Sequence, residues 1–381
     1  MTRTLDVAIV GHGIAGIAAA IYLRRAGHRI THFERSDPPV AAGAGMLMHP
    51  AAMRQLDKLG ILQGALECGA RVRRICAQTE KGRSLMDFHY SDAIDGQFGL
   101  GIQRGALHRL LSGADPGRAQ VLAGCQVTSV DPDTGLLKDA QGNDHGPFDL
   151  VVVADGAHSQ LRQQVAGRCD QGARSAALVG LFDDPQNVAA DSLAQYFVGA
   201  RHLSIWPVGR ASAGEPTRCA IAISASLAEA EAIRNPNQWR EMCTHFWPGV
   251  RALVNGAADN ASLRAITYRE VEVAQSCVGR VAMIGDAAHS MSPQLGTGAQ
   301  LALEDAATLA SVLHARDDVA EALRAFKRIR MPQVHRHHLI SRWLTPLFQS
   351  DCPTLGFLRD RLFTGLMSSS SAKRIAQELF S

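Results

Sequence analysis

The chain opens as an alternation of apolar runs and glycines. Asp6 to Val10 reads as a buried strand, Ile14 to Ala26 as a helix ending at Gly27, and Arg29 to Phe33 as a strand ending at Glu34. Strand, turn, helix, strand is the start of a βαβ unit. Residues 43–60 read as a loop feeding a helix that begins near Pro50, residues 71–90 as strand-like, and RGALHRLL from Arg104 as a helix. Short strands broken by DPDTG (131–135) and DAQGND (139–144) lead into the buried run FDLVVVADG. Residues 175–275 alternate, as in HLSIWPVG (202–209) and RCAIAISAS (218–226), which predicts a separate antiparallel sheet. Gly279 to Ile284 returns to a buried strand, and Ala299 to Leu313 is apolar at helical spacing. The tail from Met331 reads as helical with a break at Pro332.

This order predicts an α/β fold with a Rossmann-like nucleotide domain, an inserted antiparallel β-sheet substrate domain and a C-terminal helical segment. The first would be assembled from residues 1–70, 98–175 and 276–335, the second from 71–97 and 176–275, and the third from 336–381.

Composition narrows the function. The 381 residues carry 39 basic and 36 acidic side chains, a net charge of +3, which makes no electrostatic case for nucleic acid. Eight cysteines lie without Cys-x-x-Cys spacing, and the HRHH run (335–338) has no acidic or cysteine neighbour, so no metal is expected. Such cysteines fit reduced thiols and a cytoplasmic location. No apolar stretch approaches the roughly 20 residues of a membrane span. Trp343, Leu344, Leu347 and Phe348 are expected to pack in the core or against a partner subunit, and a monomer or homodimer is expected.

The chemistry starts at GHGIAG (11–16), which fits G-x-G-x-x-G between a strand and a helix. Gly11 permits the tight turn, Gly13 lets backbone approach a pyrophosphate, and Gly16 lets helix pack on strand. The free N–H groups of the helix start favour an anion. Glu34, at the end of the next strand, is placed to accept from both ribose hydroxyls and would repel a 2′-phosphate. Two further strands end in Asp155–Gly156 and Gly285–Asp286.

These three motifs, GHGIAG with Glu34–Arg35, ADGAHSQLR, and GDAAHSMSPQLGTGAQLALEDA, occur in an order that resembles the single-component FAD-dependent aromatic hydroxylases. These are flavoprotein monooxygenases of the para-hydroxybenzoate and salicylate hydroxylase type. The tail SRWLTPLFQSDCPTLGFLRDRLF (341–363) is similar to the ubiquinone-biosynthesis branch. The resemblance implies FAD as cofactor, NADH or NADPH as reductant, and hydroxylation of a small aromatic substrate by O2 through a flavin hydroperoxide. It implies that Gly11, Gly13, Ile14, Ala15 and Gly16 bind the pyrophosphate, Glu34 the ribose and Arg35 the adenine side. Arg104 would reach the phosphate and ribityl side, Val127 would lie in the strand that meets adenine, and Asp155 and Asp286 would contact the cofactor. Gly43, Ala44, Gly296, Thr297, Gly298, Ala299 and Gln300 would hold the isoalloxazine end. Relatives often carry Asn where this chain has Gln300. A helix start at residues 296–300 would stabilise negative charge on the reduced ring.

Phenol hydroxylation gains from a base or hydrogen-bond relay. Period two places His202, Ser204 and Trp206 on one face of their strand, with Leu203 and Ile205 on the other. His202 and Tyr196 are the candidate catalytic residues; His49, Ser204, Trp206 and Pro293 are candidates for the substrate pocket. His289 reads as structural. Two alternatives remain open at this point: a reductase on the same scaffold, and a flavin-binding protein without turnover. A halogenase is disfavoured, because SIWPVG lacks that group's double-tryptophan signature.

Overall fold

The computed structural model describes residues 3–38, 44–92, 96–117, 120–166, 170–199, 201–227, 236–256 and 264–348, with 354, 356, 357 and 359–361 beyond them. Its nucleotide-side sheet has six strands in the order Cys277–Val278, Val281–Met283, Leu150–Val153, Asp6–Val10, Arg29–Phe33 and Val121–Leu122. All adjacent pairs are parallel except the Cys277–Val278 hairpin. Leu150–Val153 and Val281–Met283 are buried throughout, as strands covered on both faces must be. The chain leaves Asp6–Val10 toward one neighbour and returns on its other side, which makes a topological switch point there.

Helix Ile14–Arg25 packs along helix Gly298–His314 on one face of this sheet. Both are rich in alanine and contribute to one core cluster, so small side chains set a close helix contact.

The second sheet has seven strands, in the order Arg264–Val271, Asp170–Asp183, Arg218–Ala225, Arg201–Gly209, Ser192–Val198, Arg74–Thr79 and Ser84–His89. Neighbours are antiparallel except Ser192–Val198 against Arg74–Thr79, which is parallel. One face buries Leu178, Leu203, Ile205, Ile221 and Ile223 against Trp239, Cys243 and Phe246 of helix Pro236–Phe246. The other face meets the small sheet of Gly45–Met48, Gly99–Gln103 and Ala70–Val72.

The tail departs from expectation. Helix Val319–Phe348 runs unbroken through Pro332 and Pro346 and through residues 335 and 336. Tertiary anchoring overrides the lost backbone bond: Arg330 is ion-paired to Asp305 and Glu304 before the proline, and Val334 and His338 are buried after it. Leu344, Leu347 and Phe348 pack on Ala77, Leu85 and Phe197 of the seven-stranded sheet, whereas Trp343 is 78% exposed. No helix among the described residues is long and apolar enough to cross a membrane.

Candidate active site

The strand ends build the site. Val10 is in register with Val153 and with Phe33, and Val153 with Met283. Glu34, Gly11, Asp155 and Gly285 therefore leave neighbouring strands at one level along the carboxyl edge of the sheet. This is the edge where open α/β sheets bind ligands.

At Gly11 (φ 106°) a β-carbon would lie 2.4 Å from the Ala154 carbonyl oxygen. One at Gly16 would lie 1.9 Å from the Gly11 carbonyl oxygen. Before Gly13 there is open space, with no atom within 4 Å of a β-carbon built there. Ile14 and Ala15 form the first turn of a helix that no side chain caps, so its leading amides point at that space uncommitted. Glu34 accepts the amide of His12 at 2.8 Å and that of Ser36 at 2.9 Å. Burial raises its pKa, but those amides outweigh burial and hold the carboxyl below its usual value. Arg35 is exposed beside it.

Asp155 sits against Gly11, whose added β-carbon would approach its Cα to 2.9 Å. Burial pushes its carboxyl up, and Oδ1 finds no hydrogen-bond partner. Arg162, seven residues on, donates to the carbonyls of Ala157 (2.9 Å) and Ala287 (3.1 Å), so it ties this turn to the third motif. Arg104 starts helix Arg104–Ala114 half-buried, and its amide donates to Ala44 at 2.9 Å. Val127 begins a strand of a separate three-stranded sheet, in register with Asp139. Gly43 lies outside the described residues.

The third motif holds two turns. Gly285 (φ 59°) donates its amide to Asp305 Oδ2 at 2.9 Å and leads into the short helix Asp286–His289. Asp305 is buried and also takes His289 (2.6 Å) and Arg330 (2.7 Å). Against burial, those two partners hold its carboxyl low. Pro293 is exposed at the start of a 3-10 turn, Pro293–Leu295. The following helix begins at Gly298 rather than Gly296, because Gly296 adopts φ 64°, a left-handed conformation that closes the turn instead. Thr297, buried, precedes that helix without capping it, and Ala299 lies half-buried in its first turn. Gln300 donates from Nε2 to Glu304 Oε1 (3.1 Å), and its own Oε1 is buried without a partner among the described residues.

The candidate bases fare differently. Tyr196 lies on the far face of the seven-stranded sheet, stacked on Trp247 at 4.5 Å with the core of helix Pro236–Phe246. It therefore faces away from Gly45 and the small sheet, since strand alternation sends Tyr196 and its neighbours Gln195 and Phe197 to opposite sides. His202 shares the face of Ser204 and Trp206, but Phe197 and Phe348 enclose its ring and Nδ1 donates to the Phe348 carbonyl at 3.3 Å. Burial lowers its pKa to about 4, so it is a neutral, committed ring. His49 is buried between Tyr90 Oη (2.7 Å) and the Leu295 carbonyl (3.0 Å). A carbonyl only accepts, so Nε2 carries the proton and Nδ1 accepts from Tyr90. Burial brings this histidine to about 4 as well. Tyr90 carried no sequence signal; its contact joins residues 41 positions apart.

Among the described residues, three potential metal ligands come together at Cys125, Asp139 and His145. The carboxylate already accepts from the amides of Gln141 and Asn143, from Asn143 Nδ2 and from His145, which explains the grouping as a capped turn.

The sequence model of the FAD binding domain family matches residues 4–334. A 3-amino-4-hydroxybenzoate 2-monooxygenase of Streptomyces platensis is 33% identical, covering 90% of this chain and 88% of its own length. The chain belongs to the FAD-dependent aromatic monooxygenases. A probable 2-heptyl-3-hydroxy-4(1H)-quinolone synthase of Rhodococcus erythropolis is 27% identical over 86% of this chain and 84% of its own. The fold matches Klebsiella pneumoniae HpxO, solved in complex with FAD and uric acid, with a TM-score of 0.83 at 22% identity; the match covers 99% of this chain and 96% of that one.

The residues of this monooxygenase fit FAD. Asp155 Oδ1, Thr297 Oγ1 and both amide atoms of Gln294 are buried without partners among the described residues. Asp155 lies beside Gly11 at the sheet edge, and Gln294 and Thr297 lie in the turn that leads into helix Gly298–His314. Buried polar atoms left unpaired by the protein mark where a polar ligand completes them.

Proposed function

We propose that Gly13, Ile14, Ala15 and Gly16 hold the FAD pyrophosphate, Glu34 the adenosine ribose, and Asp155, Asp286 and the turn from Gly296 to Ala299 the ribityl and isoalloxazine end. The protein is an enzyme that uses NAD(P)H and O2 to hydroxylate a small aromatic compound. The observation that carries the residue assignment is the shared register of Val10, Val153, Met283 and Phe33, which brings all three motifs and Glu34 to one edge. Bound FAD supplies oxygen activation and the transfer of one oxygen atom. The uncapped helix start at Gly298 would offer uncommitted amides to the flavin and so favour negative charge on it. His49 fixes the Leu295 carbonyl and so the shape of that turn. Trp206 and Ser204 line the substrate side; His202 holds the C-terminal helix on the sheet instead of acting as a base. Among the described residues, Cys68, Cys76, Cys125, Cys219, Cys243 and Cys277 are unpaired, which supports a reducing compartment such as the cytoplasm.

The test is reconstitution followed by turnover. Purified protein should take up FAD, and an aromatic ligand should stimulate NAD(P)H oxidation with 18O from O2 entering the product. A protein that holds FAD yet oxidises NAD(P)H no faster with any ligand would be a binder, and the reading would fail.

A further inference from the structure

The sheet face opposite the glycine turns is almost free of charge. Trp206, Val208 and Ala220 are buried there with Leu181, Leu193 and Ala222 beside them. Ile266 and Tyr268 continue the same face, packed with Ala44. Gly45 lies directly on it: an added β-carbon would meet Val208 at 2.5 Å and stand 3.2 Å from Trp206 Nε1. The nearby cations among the described residues include Arg269, half-buried next to Tyr268 on the edge strand. Arg218 is ion-paired to Asp183 at 2.8 Å, and Arg264, register partner of Val179, is exposed on the edge strand. His202 is enclosed by Phe197 and Phe348, and Glu270, on the same edge strand, faces Arg342 at 3.9 Å.

Among the polar groups of this face, Trp206 and Gln195 each offer a ligand one hydrogen bond. Trp206 Nε1 is buried without a partner and can only donate. Gln195 gives its amide hydrogen to Ser204 Oγ at 3.1 Å, which leaves its carbonyl oxygen as an acceptor.

We infer that the substrate is an uncharged aromatic, held by one oxygen that accepts from Trp206 and one N–H or O–H that donates to Gln195. A neutral hydroxy- or oxo-heteroaromatic has this chemistry; a benzoate does not. This rests on the oxygenase reading and the placement of its substrate on this face. A carboxylate against Trp206, Val208 and Ala220 would lose its hydration, and among the described residues none of the side chains packed there is a cation. A neutral ring gains from the apolar burial that Leu181, Leu193, Ala222 and Ile266 offer. Tyr268, whose burial raises its pKa to about 12, stays neutral and adds no charge.

The test uses matched pairs on the FAD-loaded enzyme: 3-amino-4-hydroxybenzoate against its methyl ester, and 4-hydroxyquinoline-2-carboxylate against 4-hydroxyquinoline. Binding is read from flavin absorbance changes and turnover from NAD(P)H oxidation with product mass. The neutral member should bind at least about tenfold tighter in each pair, the scale of one unpaired buried polar group. Trp206→Phe keeps the ring and removes the N–H; it should weaken the neutral ligand about tenfold and leave FAD content unchanged. Acids binding as tightly as the neutral compounds overturn the inference, above all if Arg264→Ala abolishes that binding. An enzyme that holds FAD but binds neither member of either pair also overturns it, and leaves the flavoenzyme reading standing. Failure to take up FAD at all removes both.

Discussion

A β-carbon on Gly285 would stand 2.9 Å from the Cβ of Ala15, so the third glycine motif is pressed against the first turn of the first helix. The third motif and the start of the first helix are thus in direct contact. The amide of Gly285 is in turn held by buried Asp305, which also binds His289 and Arg330. The position of the flavin-side turn depends on an ion pair that reaches into helix Val319–Phe348.

Asp305→Asn removes a carboxylate while Arg330 stays buried. Breaking a buried ion pair costs about 3–5 kcal/mol, and Glu304, 2.9 Å from Arg330, remains to keep the cost near the lower end. Urea unfolding should register a loss of that size, and FAD retention should fall with it because Gly285 loses its anchor. A loss under about 1 kcal/mol would mean that the Arg330 charge finds water or another partner.

Gly13 and Gly16 should separate cofactor binding from folding. Gly13→Ala has open space and ordinary φ (−87°), so the apoprotein should keep its stability within about 0.5 kcal/mol. The added methyl fills the space proposed for the pyrophosphate, so FAD affinity should fall by at least about tenfold. Gly16→Ala drives a methyl into the Gly11 carbonyl and should destabilise the apoprotein by roughly 1–3 kcal/mol or more. Thermal melts of the apoproteins and FAD fluorescence titrations distinguish the two; equal effects on stability would contradict the geometry.

Glu34→Gln keeps an acceptor but loses the charge, and Glu34→Ala loses both. FAD dissociation constants should rise in that order, by about tenfold for each charge-assisted hydrogen bond removed. Unchanged affinity in the alanine variant would take the ribose contact away from Glu34.

Acid should destabilise the fold through buried neutral histidines. His32 and His49 are lowered by burial from 6.5 to about 4. Between pH 6.5 and 4 the unfolded chain binds protons that the folded one refuses, so stability is complete above pH 6.5 and falls as pH drops toward 4. The slope is about 1.4 kcal/mol per pH unit for each such group. His32→Gln should remove one group's share of that slope in urea midpoints measured at pH 7, 6, 5 and 4. A profile in the parent protein that is flat across this window would mean that the rings are charged when folded.

Much of this was legible in the sequence because it rests on local rules. Glycines with positive φ or no room for a β-carbon, such as Gly11 and Gly285, leave a mark in any chain that makes the turn. The period of two in HLSIWPVG correctly set Trp206 and Ser204 against Leu203 and Ile205, since alternation is a property of the strand itself. Three motifs in order also carried the family and its cofactor.

What the sequence could not determine was which neighbour each face would meet, because that depends on residues far apart in the chain. Tyr196 went to the Trp247 side, and His202 was closed off by Phe348, 146 residues away. Helix Val319–Phe348 passed through Pro332 because the Arg330 anchor outweighed a missing backbone bond. The pairing of His49 with Tyr90 and the mostly uncharged wall beside Trp206 likewise exist only once the sheets are stacked. Local periodicity orients a side chain relative to its own strand or helix; only tertiary packing decides whether that direction leads to solvent, to a core or to a substrate.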